Sequence, residues 1–137
     1  LDGLVYIDDY AHHPNEISAA LSSIKNKYPG YRYTAIFQPH LYSRTKDFAP
    51  EFAQALSMVD RLILLDIYPA REEPMPGVTS KLIYDCIGEG VEKSMCSRES
   101  VIDCIEKEKN NIEVLVSLGA GDIENDVPEM KRILENR

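Results

Sequence analysis

A short segment near the amino terminus concentrates side chains suited to acid–base or binding chemistry. Asp8–Pro14 holds two carboxylates, a phenol and two imidazoles. It lies between an apolar run typical of a β-strand and a segment with helical spacing, where Pro14 suits the first turn. A carboxylate can accept from a ribose diol and a helix N-terminus favours anions, so this junction suits a nucleotide or a phosphorylated intermediate. The alternative is that Asp9 and the histidines only cap the helix.

A second segment, Phe37–Thr45, follows another apolar run and contains His40 and Arg44. Arginine presents a planar fork that can grip both oxygens of a carboxylate or phosphate, which lysine cannot do. The segment therefore predicts an anion-binding position at Arg44. The structural alternative is a solvated surface arginine, with Tyr42 packed on the following helix.

Two further segments have the character of site edges. Asp66–Gly77 is long and contains three prolines, and long ordered loops are usually lids or binding loops. Its Arg71 and Glu72 could border a site, or could pair with each other on the surface of a stiff connector. Gly119–Asp122 allows close backbone approach, although short glycine turns are common. We expect Arg71, Glu72 and Asp122 at the edge of the site.

The elements that must position these segments follow from apolar periodicity. Five runs predict strands: Leu4–Ile7, Tyr33–Phe37, Arg61–Leu65, Lys93–Cys96 and Ile112–Leu118. Five sets between or after them have helical spacing: Ile17, Leu21 and Ile24; Phe48, Phe52, Ala55 and Leu56; Leu82, Ile83, Cys86 and Ile87; Val101, Ile102 and Ile105; Met130, Ile133 and Leu134.

The alternation of strand and helix predicts a doubly wound α/β domain. Its sheet should be mostly parallel, with five or more strands and helices on both faces, because parallel strands need helical crossovers. Ligands of such sheets bind beyond the carboxyl ends of the strands. All four polar segments fall there, so we expect them to meet at one edge.

Composition narrows the class of protein. The 137 residues predict a single domain, residues 1–137. The net charge of −8, with no basic run, argues against nucleic-acid and anionic-membrane partners. Without a long apolar stretch or a signal-peptide pattern, we expect a cytoplasmic protein. The three cysteines form no C-x-x-C pair and are expected to be reduced core thiols. Asp2-Gly3 is a hairpin signal with no strand before it, which suggests an excised domain.

The four segments together closely resemble the C-terminal domain of the Mur ligases, over essentially the whole chain. The matching stretches are Asp8–Pro14, Phe37–Thr45, Asp66–Glu72 and Gly119–Ile123. The D-Y-A-H-x-P element is shared by several members of the family. F-Q-P-H-x-Y-x-R-T is similar to the alanine-adding members in particular, whereas the related murein peptide ligase resembles the chain in the first segment and differs in the second.

The resemblance implies a Rossmann-like domain of a three-domain enzyme of peptidoglycan precursor synthesis. Such an enzyme is an ATP-dependent ligase that joins L-alanine to the lactyl carboxylate of UDP-N-acetylmuramate through an acyl phosphate, with Mg²⁺. The N-terminal and central domains are absent from this chain. It has no G-x-x-x-x-G-K-[ST] motif, so triphosphate and metal are expected on the central domain and the chain alone is expected to be inactive. A related murein peptide ligase domain is the nearest alternative.

Site residues carry over from the resemblance position by position. Asp9 matches the ATP ribose contact, with His13 beside it. The L-alanine pocket is expected to involve Tyr10, His12, His40 and Arg44. Relatives often have arginine where this chain has Leu41, so no second cationic contact is implied there. The resemblance assigns no certain catalytic residue and no metal ligand to this chain.

Two alternatives come from other classes of protein. Asp8 and Asp9 after the first strand and Asp66 after the third are typical of a phosphoacceptor receiver domain. Such a domain needs a lysine at the end of the fifth strand, where this chain has Gly119–Gly121, and it leaves the second segment unexplained. A plain nucleotide-binding module is the other alternative.

Overall fold

A five-stranded parallel sheet organises residues 5–136, the part of the chain that this computed structural model describes. The strands are β1 (Val5–Asp9), β2 (Tyr33–Phe37), β3 (Arg61–Leu65), β4 (Glu92–Cys96) and β5 (Val114–Leu118). Their order across the sheet is β1-β5-β2-β3-β4, and every neighbouring pair is parallel. The predicted α/β class and parallel sheet are confirmed.

Helices cover both faces of the sheet. They are α1 (Pro14–Lys27), α2 (Tyr42–Leu56), α3 (Lys81–Tyr84), α4 (Val101–Glu108) and α5 (Val127–Glu135). The apolar residues of α1, α2 and α3 pack on one face and those of α4 and α5 on the other. Alternate residues of β5 divide between the two cores: Val116 belongs to the first and Leu115 to the second. The central strands β2 and β5 are buried along their length, which explains their mostly apolar sequence.

Helix α2 departs from its predicted apolar face at one residue. Phe48 has non-helical backbone angles and is 42% exposed, so its predicted place in the core is wrong. Pro50 lies two residues later and has no N–H, and its ring crowds the carbonyl of Lys46, which kinks the helix at this turn. Phe52 and Leu56 of the same set are buried, as predicted.

The cysteines also differ from the prediction. Cys96, at the end of β4, has its sulfur beside that of Cys104 on α4. Helix α4 folds back over the end of β4, and this brings together two residues that are eight positions apart in the chain. Cys86 is exposed, because α3 ends at Tyr84 and the apolar set predicted to continue through Cys86 lies partly beyond the helix. The prediction that all three cysteines are core thiols is therefore wrong for Cys86.

Two further expectations, the hairpin signal and the absence of a membrane-spanning segment, are compared with the described residues. The predicted hairpin signal at Asp2-Gly3 lies outside the described residues. Within residues 5–136, no helix is both long enough and apolar enough to cross a bilayer.

Candidate functional site

The four polar segments meet at the carboxyl edge of the sheet. In the strand register, Asp9 of β1 and Phe37 of β2 both pair with Leu118 of β5, and Phe37 also pairs with Leu64 of β3. The segments that follow these residues therefore begin side by side, as the sequence predicts. Strand β1 is longer than predicted and includes Asp8 and Asp9.

Gln38 joins the loops after β2 and β5. This buried residue donates its backbone N–H to the Leu118 carbonyl at 3.0 Å. Its side-chain Nε2 donates to Asp122 Oδ1 at 2.6 Å, and its Oε1 accepts from the Ile123 N–H at 3.0 Å. Asp122 thus lies in the loop after β5 at the carboxyl edge of the sheet, and its carboxylate is engaged by the protein.

Gly121 lets three loops approach one another closely. A Cβ atom at this position would lie 2.5 Å from Gln38 Oε1 and 2.6 Å from Tyr68 Cγ, distances that no real Cβ tolerates. Gly119 has φ +148° and faces the Gln38 carbonyl. The glycines of this segment are therefore required by the packing, which a glycine turn in the sequence indicates only weakly.

Arg98 is a residue of this edge that the sequence analysis missed. Its Nε donates to Asp122 Oδ1 at 3.2 Å and its Nη2 to the Asp122 carbonyl at 2.8 Å. Its Nη1 donates to the Asp126 carboxylate. The signal that could have found it is an arginine directly after a parallel strand, the position from which side chains reach the carboxyl edge.

Arg44 and His40 form a pair one helical turn apart. Arg44 Nη1 lies 3.2 Å from His40 Nδ1, and His40 stacks on Tyr68 with ring centroids 5.7 Å apart. Because a guanidinium only donates, Nδ1 must accept, so His40 is neutral with its proton on Nε2. Burial, and then the Arg44 cation, lowers the pKa of His40, which agrees with that form.

His12 has the opposite arrangement of donor and acceptor. Its Nδ1 lies 2.9 Å from the Tyr10 carbonyl, which can only accept, so Nδ1 carries the proton. The Nε2 of neutral His12 is then an acceptor. The His12 ring lies 5.7 Å from the His40 ring, edge to face. Tyr10 is 64% exposed and packs edge-on against His12 at 5.5 Å. The loops after β1 and β2 therefore present a hydrogen-bond acceptor and a donor side by side.

The long loop after β3 contributes Glu72 but does not pair it with Arg71. Glu72 Oε1 accepts from the Ser43 N–H at 3.1 Å, and Oε2 accepts from the Ser43 hydroxyl at 2.5 Å. Arg71 is exposed and makes no hydrogen bond or ion pair within residues 5–136. The alternative in which the two residues pair with each other is thus wrong, and Glu72 instead fastens its loop to α2.

Asp9 uses one carboxylate oxygen within the chain and leaves the other without a hydrogen bond among the described residues. Its Oδ1 accepts from the Ala11 N–H at 2.9 Å, and its Oδ2 makes no hydrogen bond within the described residues. Neighbouring Asp8 accepts from the Ser117 hydroxyl at 2.6 Å, which in turn accepts from the Tyr6 hydroxyl at 3.2 Å. Burial raises the pKa of Tyr6 to about 12. Asp8 is therefore part of an internal network, whereas Asp9 keeps one oxygen for a ligand.

Glu16 binds the backbone just before α1. Glu16 Oε1 accepts from the backbone N–H groups of His12 and His13 at 3.1 and 3.0 Å, and Pro14 has no N–H. These hydrogen bonds, with the His12 one the largest, lower the pKa of Glu16. His13 is exposed and lines an open cavity of about 310 Å³ with Pro14, Asn15, Phe48 and Glu51.

Across residues 5–136, no three His, Cys, Asp or Glu side chains converge as metal ligands would. The donor set of the carboxyl edge consists instead of imidazoles, a guanidinium and single carboxylates. Such a set suits the charged ends of an organic ligand.

The fold and this edge define the class of protein. The family described as "Mur ligase, glutamate ligase domain" matches residues 1–123, and the chain belongs to this family. Membership favours the ligase interpretation over the receiver domain and the plain nucleotide-binding module.

Similar proteins narrow the class further. UDP-N-acetylmuramate–L-alanine ligase of Phocaeicola vulgatus is 53% identical over 99% of this chain, and that of Parabacteroides distasonis is 50% identical over 97%. The chain spans 29% and 28% of their lengths, less than a third. The solved UDP-N-acetylmuramate–alanine ligase of Thermotoga maritima is 26% identical over 96% of the chain and 26% of its own, with TM-score 0.63. A murein peptide ligase of Psychrobacter arcticus has TM-score 0.75 at 20% identity, over 100% of the chain and 28% of its own, which shows the fold alone.

Proposed function

We propose that this chain is the domain of a UDP-N-acetylmuramate–L-alanine ligase that receives the amino acid. The observation that carries the proposal is the group of Arg44, His40 and His12 at one edge of the sheet. The relatives that are about half identical over nearly the whole chain bear the name of this ligase, which supports the same substrates here.

Arg44 suits the carboxylate of L-alanine. Free alanine is a zwitterion, so a site that orients it needs a fixed cation for one end. Arg44 donates one N–H to His40, and its other N–H groups can form a bidentate contact with a carboxylate. The Nε2–H of His40 offers a further donor beside it. Alanine has only a methyl group to bury, so these polar contacts supply most of its orientation.

His12 suits the other end of the amino acid. The alanine ammonium must lose a proton before its nitrogen can attack, and the Nε2 of neutral His12 is an acceptor. Tyr10, exposed beside it, can order a water molecule that carries the proton away. Arg44 and His12 therefore divide the binding of the carboxylate and the deprotonation of the amine.

The residues also fit a nucleotide. Asp9 Oδ2 can accept from a ribose hydroxyl, and the cavity beside His13 is open to a ligand. When bound, ATP supplies the phosphoryl group that turns the lactyl carboxylate into an acyl phosphate, with Mg²⁺ offsetting the charge. Because the chain has no G-x-x-x-x-G-K-[ST] motif, triphosphate and metal belong to a central domain, and the chain alone is inactive. The N-terminal and central domains of the same protein are its partners, and ATP use places the reaction in the cytoplasm.

A direct assay tests the proposal in the full-length protein. UDP-N-acetylmuramate, L-alanine, ATP and Mg²⁺ are incubated with the enzyme, and the amide product is identified by its mass. We expect the product and ADP in equal amounts, and neither when any one component is left out. Steady ADP release without alanine, or no amide with all components present, would contradict the proposal.

The murein peptide ligase alternative rests on the first segment, Asp8–Pro14, which such enzymes share. An enzyme of that kind would take a peptide in place of alanine. The same assay with L-alanyl-γ-D-glutamyl-meso-diaminopimelate distinguishes the two functions.

A further inference from the structure

Helix α2 carries Arg44 but has no cap of its own. Its N-cap position is Leu41, which has φ +74° and an apolar side chain that cannot accept a hydrogen bond. The first amides of a helix lack partners within the helix and need an acceptor from elsewhere. Glu72, 29 residues after Ser43 in the chain, supplies that acceptor. Its carboxylate accepts from both the N–H and the hydroxyl of Ser43.

The loop that holds Glu72 is fastened to the same turn a second time. Tyr68 donates its N–H to the Pro39 carbonyl at 2.7 Å, and Leu41 donates to the Tyr68 carbonyl at 2.9 Å. Within the described residues, Leu41 and Ala70 are the two non-glycine residues with positive φ, and each lies within two residues of this crossing. Such strain persists only where surrounding contacts fix the backbone, and it is common at functional sites.

We propose that Glu72 is a positioning residue for the amino-acid site: by capping α2 from outside, it fixes the turn that presents Arg44 to the substrate carboxylate. This inference rests on the proposed function as far as alanine is concerned. Ser43, the residue Glu72 holds, directly precedes Arg44 in the chain.

Charge supports the same role. The Ser43 hydroxyl, ahead of smaller effects that include Arg44, holds the pKa of Glu72 below its ordinary value, so the carboxylate is ionised at neutral pH. It places a negative charge near the Arg44–His40 pair without making a hydrogen bond to either residue. The negative charge of Glu72 thus stabilises Arg44, and the N–H groups of Arg44 remain able to donate to the ligand.

The consequence for catalysis follows from geometry. The alanine amine must lie in line with the carbon it attacks, and a displacement of about 1 Å can cost about 100-fold in rate. Loss of the cap should loosen the first turn of α2 and so displace Arg44, which binds the substrate carboxylate. Contacts to the nucleotide and to the UDP-sugar should stay intact. The KM for L-alanine should therefore change more than the KM values for ATP and UDP-N-acetylmuramate.

The first test measures the cap without using activity. Hydrogen exchange of the peptide covering residues 41–48 is followed by mass spectrometry in the full-length protein. Glu72→Ala should speed exchange in this peptide about tenfold, the effect of losing about 1.4 kcal/mol of protection. Glu73→Ala is the matched control, because Glu73 is its exposed neighbour with no hydrogen bond within residues 5–136. Equal exchange in Glu72→Ala and wild type would overturn the inference.

The second test separates positioning from stability. We expect Glu72→Ala to raise the KM for L-alanine about tenfold, with the KM values for ATP and UDP-N-acetylmuramate within about twofold of wild type. Glu72→Gln keeps an oxygen acceptor for Ser43 and should recover part of the loss. An unchanged alanine KM, or an equal rise in all three KM values, would contradict the inference. If the wild-type enzyme adds no alanine, the proposed function fails, and the exchange comparison alone decides whether Glu72 holds the turn.

Discussion

Arg44→Lys should separate recognition of the amino acid from every other step. Lysine keeps the positive charge but replaces the planar fork by a single ammonium, so it cannot engage His40 and both carboxylate oxygens together. Arg44 is half-buried, and its Nη1 lies 3.2 Å from His40 Nδ1. This contact fixes the orientation of the guanidinium.

The size of the effect follows from the hydrogen bonds that lysine cannot make to the substrate. A hydrogen bond to a charged group is worth about 1.5–3 kcal/mol, and the change removes at least one from the alanine carboxylate. Each 1.4 kcal/mol is tenfold, so kcat/KM for L-alanine should fall about 10- to 100-fold. The KM values for ATP and UDP-N-acetylmuramate should stay near those of wild type.

The assay is initial-rate kinetics of the full-length protein with each substrate varied in turn. L-Alaninamide, which lacks the carboxylate, provides an internal comparison: wild type should discriminate strongly against it, and Arg44→Lys should narrow that difference. Arg32→Lys is the control, since Arg32 precedes β2 at the opposite edge of the sheet and its guanidinium lies 3.9 Å from Glu92. Normal alanine saturation with weakened ATP binding would show that Arg44 is a phosphate ligand.

Three other predictions concern the same edge. Asp9→Ala should raise the KM for ATP about tenfold with the alanine KM unchanged, because it removes a charged acceptor of the ribose; altered alanine saturation instead would move Asp9 to the amino-acid site. The pKa of His40 is lowered in the folded protein, so its contribution to folding stability is fully present above pH 6.5, its ordinary pKa, and is lost as the pH drops below it. Melting temperatures of wild type and His40→Gln should therefore differ above pH 6.5 and converge on acidification, and parallel curves would refute this. Gly121→Ala should destabilise by about 1–3 kcal/mol, because its Cβ would meet Gln38 Oε1 at 2.5 Å; Gly88→Ala, in open space, is the control for chemical denaturation, and equal midpoints would contradict the packing argument.

Much of the fold follows from the sequence because local patterns agree with the final packing. The strands β2, β3 and β5 are mostly apolar in sequence, and their alternation with segments of helical spacing predicts a parallel sheet. That topology alone places the four polar segments at one edge. The predictions fail where a distant or local constraint overrides the pattern, as Pro50 does in kinking α2 and exposing Phe48.

The details of the site depend on contacts between loops, which periodicity does not encode. The capping of Ser43 by Glu72 joins residues 29 positions apart, and Arg98 reaches Asp122 across 24. The proximity of Cys96 and Cys104 likewise depends on how α4 returns over β4. Residue types show that Arg44 and His40 suit a charged ligand, but only the three-dimensional arrangement assigns the proton of His40 to Nε2.

A competition between two acceptors tests the central claim most directly. The full-length protein is given ATP, Mg²⁺ and UDP-N-acetylmuramate with equal concentrations of L-alanine and L-alanyl-γ-D-glutamyl-meso-diaminopimelate, and the products are separated by mass. An edge built around Arg44, His40 and His12 for a small zwitterion should give UDP-N-acetylmuramoyl-L-alanine as nearly the whole product. A product mixture dominated by the peptide adduct would contradict the account.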